Sequence, residues 1–178
     1  GERLTAALEA LGPIFIKLGQ MLSCRADIVG ADIAQSLANL RDQLPAAPGS
    51  VARDIIEAEL AKPVEELFLS FDNQAVAAAS VAQVHKATLK NGDAVAVKIL
   101  RPAIHGAFIQ DMALLRWLAG WADAYIREAK RLKPLEVVSL FERITAKELD
   151  LRFEAAAGEE LRLNTQHDAG FRVPIVYW

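Results

Sequence analysis

The chain lacks most of the staples and signatures that would assign it quickly. It has one cysteine, Cys24, in 178 residues. That excludes an internal disulfide and a cysteine-based zinc site, and it fits a reducing compartment. Three histidines, His85, His105 and His167, show no metal-ligand spacing and read as structural or surface residues, so no metal site is expected. There is no basic excess: 20 Lys and Arg face 23 Asp and Glu. This excludes the strongly basic footprint of a nucleic-acid binder. No apolar run reaches the roughly 18 residues that a membrane span needs. The most apolar long stretch, Met112 to Ile126, is cut by Arg116 and Asp123. No signal peptide opens the chain, and a start at Gly1 rather than Met suggests an excised piece. Glycine is absent between Asp72 and Asn91, so a GxGxxG phosphate loop is excluded where the chain otherwise turns β-like.

Alanine is what the chain has in quantity, with 32 residues. Together with ordinary charge this argues for a helix-rich globular protein. Helices are expected over Arg3 to Leu11, Pro13 to Cys24 and Ala31 to Gln43, with Gly12-Pro13 breaking the first pair. A further helix is expected from Ser50, as N-cap, to Ala61. The texture changes at Phe71. Val81 to Leu89 and Ala94 to Leu100 flank Asn91-Gly92, a strong hairpin signal. Alternation in the second run puts Lys98 on the face opposite Val95, Val97 and Ile99. Helix returns over Ile104 to Arg131 and over Leu135 to Asn164, with a break expected near Thr145. The final run, Arg172 to Trp178, reads as β-like. The fold class is therefore α+β.

Four features carry charge or close approach into apolar surroundings. Lys17 is the only charged residue between Pro13 and Cys24. Ile14, Phe15, Ile16, Leu18, Met21 and Leu22 surround it, which marks a buried helix whose lysine needs an anion or snorkels to water. Gln20 shares its face, and Gly19 would admit another backbone. Glu148, Asp150 and Glu154 fall on one expected helix, with Asp150 and Glu154 repelling at i,i+4. Such a pair invites a cation, or else faces solvent. Lys98 ends an Ala-Val-Ala-Val-Lys strand, a position from which lysine holds nucleotide phosphates; edge-strand protection is the alternative. Ala77-Ala78-Ala79-Ser80 sits where a phosphate loop precedes that strand, or is a small-residue packing turn.

Taken together, Gly12 to Gln20 with its Lys17-x-Gly19-Gln20, then Ser23, Arg25 and Asp27, then Phe71-Asp72, Ala77 to His85, Val95 to Lys98 and Glu148-Leu149-Asp150 resemble the UbiB-type atypical kinase-like family of ubiquinone biosynthesis. The resemblance covers nearly the whole chain. It departs at Gly30 and Ala75, where the family usually has proline, and at Ala157, where it usually has asparagine. The resemblance implies a helical KxGQ extension over residues 1–65, packed on a protein-kinase-like small lobe with a helical insertion over residues 66–178. The small lobe would be an antiparallel sheet with an αC-type helix, cut near the hinge, with the large lobe missing. It implies that Lys98 and Glu154 pair to position phosphates, that Ala77, Ala78, Ala79, Ser80 and Val81 cover the nucleotide, and that Lys17 and Gln20 meet Glu148 and Asp150 as a gate. The parent protein would bind ATP or ADP with Mg²⁺ as an ATPase or phosphotransferase. Its implied partners are quinone-biosynthesis proteins or lipid at a membrane surface: the cytoplasmic face of a bacterial inner membrane, or a mitochondrial one. A non-catalytic helical interaction or lipid-binding module that keeps the architecture is the alternative. A catalytic aspartate and a DFG-like motif further along the source gene would decide between them.

Overall fold

The computed structural model describes residues 1–40 and 44–178. The chain divides into two compact units, Gly1–Trp117 and Leu118–Trp178.

The first unit opens with α1 (Glu2–Leu11) and α2 (Pro13–Ser23). Gly12 separates them at φ 109°, a left-handed conformation that glycine adopts at little cost, and Pro13 starts α2. The short α3 (Ala26–Val29) and α4 (Ala31–Leu37) follow. The expected helix from Ala31 thus ends earlier, and its expected last turn at residues 41–43 lies outside the described residues. α2 is not buried all round, as its composition suggested. Ile14, Phe15, Ile16 and Gly19 are buried, while Lys17, Leu18, Gln20, Met21 and Leu22 are only half-buried. Gly19 does serve close packing, but against side chains rather than a backbone: a Cβ there would overlap methyl groups of Leu40 and Leu8.

α5 (Gly49–Leu60) begins one residue before Ser50, with Pro48 as its N-cap and no side-chain cap. Proline at that position keeps the preceding chain extended, so Ser50 lies inside the first turn. After α6 (Val64–Leu67) come β1 (Phe68–Ala78), β2 (Ala82–Leu89) and β3 (Ala94–Leu100). They form one antiparallel sheet in the order β1-β2-β3. The Asn91-Gly92 hairpin closes through Gly92 at φ 93° and an Asn91 side chain that accepts from the Asp93 N–H at 3.0 Å. Ala52, Ile56, Val64, Phe68, Ala87 and Ile99 make the core between α5, α6 and one sheet face, with Val95 and Val97 packed against it.

α7 (Ile104–Tyr125) contains the boundary between the units, and the second unit continues with α8 (Arg127–Lys130), α9 (Pro134–Glu148) and α10 (Leu151–Asn164). The expected single helix to Arg131 is interrupted by the β-branched Ile126, in extended backbone. The expected break near Thr145 falls instead at Leu149–Asp150. Val138, Phe141 and Thr145 on α9, and Leu149 at its C-terminal end, are buried. The run Arg172 to Trp178 forms no strand among the described residues. Pro174 in its middle has no N–H to give a ladder.

Candidate functional site

The alanine-rich segment is shorter as a loop than expected. Ala77 and Ala78 belong to β1, where they pair with Val84 and Gln83. Only Ala79, Ser80 and Val81 connect the strands, closed by an Ala79 N–H donating to the Ala82 carbonyl at 2.8 Å. None of residues 77–81 has positive φ, which explains how the turn dispenses with glycine. Ala77 and Ala79 are exposed, whereas Ser80 and Val81 are buried. The small exposed methyls leave the backbone approachable, and the turn is anchored from below.

Two residues along β2 from Ala82, a step of roughly 7 Å, Val84 stands opposite Lys98. Lys98 is exposed and lies on the sheet face turned away from Val95, Val97 and the α5 core, as alternation predicted. The structure therefore brings Ala79 to Val81 and Lys98 to the same end of the same sheet. An open concavity of about 500 Å³ lies further along the strands, lined by residues such as Lys86, Thr88, Ala94 and Ala96; neither the turn nor Lys98 lines it.

Beneath the turn lies a chain of buried polar groups. β1 bulges between Phe71 and Ala75, which takes the Asp72 carbonyl out of the ladder. His85, fully buried, repairs this: its Nδ1 lies 2.8 Å from that carbonyl oxygen. A carbonyl can only accept, so Nδ1 carries the proton and Nε2 accepts from the Gln83 side chain at 2.8 Å. Gln83 then reaches the segment before α5. Its Oε1 accepts from the Ala47 N–H at 2.8 Å, and its Nε2 donates to the Ala47 carbonyl at 3.3 Å. Phe71 stacks on His85 with ring centroids 5.0 Å apart, and the Arg53 guanidinium covers Phe71 at 5.5 Å. The expectation that His85 is structural holds. His105 and His167 are on the surface.

Arg101 completes the underside. Its Nε donates to the Ala79 carbonyl at 2.8 Å. Its Nη1 and Nη2 donate to the carbonyls of Pro45 and Leu44 at 2.9 and 3.2 Å. Burial pulls its guanidinium below the ordinary arginine range. Neither Gln83 nor Arg101 stood out as a functional residue in the sequence. The available signals were a polar side chain alternating inward within a strand, and an arginine held extended by the following Pro102.

On α2, Lys17 and Gln20 share the half-buried side, and the Gln20 carbonyl accepts from Ser23 Oγ at 2.7 Å. Just beyond, Arg25 grips Asp27 through two bonds of 2.9 and 2.8 Å, and that grip holds the Asp27 carboxyl below its ordinary range.

In the second unit the three carboxylates do not share one helix. Glu148 ends α9, Asp150 is the N-cap of α10, and Glu154 lies near the start of α10. Asp150 takes extended backbone, and its Oδ1 accepts from the Arg152 N–H at 3.1 Å. Aspartate prefers that role to a helix interior. Arg152 folds back on the same carboxylate at 2.8 and 2.7 Å. The expected i,i+4 repulsion is thus replaced by two carboxylates near a helix N-terminus, where the peptide dipoles favour them.

Residues 39–178 match the ABC1 atypical kinase-like domain. The chain belongs to this family. Over all 178 residues it is 47% identical to a probable protein kinase UbiB of Marinobacter nauticus, and it spans 32% of that protein's length. The UbiB-type resemblance seen in the motifs is therefore shown. The complex structure of Rv3197 with erythromycin, from Mycobacterium tuberculosis, matches at a TM-score of 0.63 and 31% identity, covering 91% of this chain and 40% of that one. No helix among the described residues is long and apolar enough to cross a membrane.

Proposed function

We propose that this chain is the nucleotide-holding part of a UbiB-type atypical kinase or ATPase that binds ATP or ADP with Mg²⁺ and supports ubiquinone production at a membrane surface. One observation carries the reading. The exposed Lys98 stands on the sheet face away from the core, at the end of the sheet closed by the glycine-free turn Ala79 to Val81. A lysine there meets the α- and β-phosphates as a point charge, and a turn with small exposed side chains lets backbone amides approach them. Among the described residues no three carboxylate, imidazole or thiol groups converge on a metal-sized site.

Glu154 is the partner that the family resemblance gives Lys98. Lys17, Gln20, Glu148 and Asp150 are its proposed gate. Lys98→Met in the full-length protein, measured by equilibrium binding of ADP with Mg²⁺, is expected to weaken binding about ten-fold or more. Glu154→Gln in the same background is expected to add little, because the two act as one unit. Unchanged affinity in Lys98→Met would remove the reading.

A further inference from the structure

We infer that Arg101 is a positioning residue for nucleotide, acting by tying the Ala79–Val81 turn to the segment that leads into α5. The inference rests on the nucleotide reading above and names residues that this reading does not use. Arg101 holds the turn at both ends. Its backbone N–H donates to the Val81 carbonyl at 2.9 Å, and its Nε donates to the Ala79 carbonyl at 2.8 Å. The rest of the fork reaches Pro45 and Leu44. Three carbonyls from two segments meet one planar cation, a pattern suited to the fixed donor geometry of arginine and not to lysine.

Gln83 makes the second tie. It exchanges two hydrogen bonds with Ala47, much as a neighbouring strand would. It is itself held in place by His85. Residues 44 and 45 are thus fastened to the turn through Arg101, and residue 47 to the start of β2 through Gln83. That segment separates α4 from α5, and α2, the helix carrying Lys17 and Gln20, precedes it. The exposed surface of the turn is set by Ala79. Its orientation is set by residues that do not touch the exposed side.

The test uses full-length protein, ADP with Mg²⁺, and amide hydrogen exchange. Arg101→Lys keeps the charge but not the fork. It is expected to weaken ADP·Mg²⁺ binding about ten-fold and to speed exchange at Leu44, Ala46 and Ala47 together with Ala79 to Ala82. In the wild type, ADP·Mg²⁺ is expected to slow exchange in both segments. That arm needs no variant to fold. Wild-type affinity in Arg101→Lys, or protection by nucleotide of 79–82 without 44–47, would overturn the inference and leave the nucleotide reading intact. A wild type that binds no ADP·Mg²⁺ would overturn both.

Discussion

The two compact units differ in how they bury polar groups. In Gly1–Trp117, the buried Gln83 and His85 are satisfied in a chain that runs from the Asp72 carbonyl to Ala47. The turn above them is held by Arg101. In Leu118–Trp178, Thr145 is a buried polar side chain whose hydroxyl has no hydrogen-bond partner among the described residues. Large apolar groups stay open there, with Phe153 57% and Leu163 50% exposed. A buried polar chain admits few alternative arrangements, since breaking any link leaves a desolvated group unpaired. A thin apolar contact admits many. The first unit is built to hold one geometry, and the second is held by a few aliphatic and aromatic contacts.

Matched core truncations should expose that difference most strongly. Phe141→Ala removes about 3–5 kcal/mol of packing from a unit whose other buried apolar groups are Ala119, Val138 and Leu149. It is expected to abolish exchange protection across α9 and α10. Ile56→Ala costs about 2–5 kcal/mol in the first unit and is expected to lower the melting midpoint while leaving its native protection pattern in place. Equal loss of protection in the two variants would break the comparison.

A smaller effect is expected at the join of α9 and α10. Asp150→Ala removes the N-cap of α10 and should cost about 1 kcal/mol, with Asp150→Asn restoring most of it. Chemical denaturation distinguishes the two. A null effect of Asp150→Ala would place its contribution outside capping.

The smallest is electrostatic and belongs to the first unit. The Asp27 carboxyl is lowered by its bonds to Arg25. Its stabilising contribution is therefore complete above the ordinary carboxylate pKa and is lost as pH falls through the lowered folded value. Both groups are exposed, so the effect on stability is slight. Arg25→Gln should return the Asp27 titration, followed by NMR, towards the ordinary value. An unmoved titration would mean that another group holds it.

The parts of the fold written in local chemistry were legible. Gly12-Pro13 announced the α1–α2 break, Asn91-Gly92 the hairpin, and period-two alternation the side of β3 on which Lys98 stands. The motif residues were legible as a family likeness well before any of them had a geometry. What the sequence hid was non-local. Asp150 looks like a helical residue by its neighbours, and only the end of α9 turns it into a cap. Ser50 looks like a cap, and Pro48 displaces it. Gln83 and Arg101 are unremarkable as letters, because their meaning lies in carbonyls some 36 and 57 positions away. The β-like run at Arg172 has the right composition, but among the described residues no strand pairs with it.

Hydrogen exchange of the full-length wild-type protein with and without ADP·Mg²⁺ is the most direct test of where nucleotide sits. Slowed exchange concentrated at Ala79 to Ala82 and at Val97 to Ile99, on β3 around Lys98, is the predicted result. Tight nucleotide binding that leaves both stretches unchanged would contradict it and move the site elsewhere in the protein.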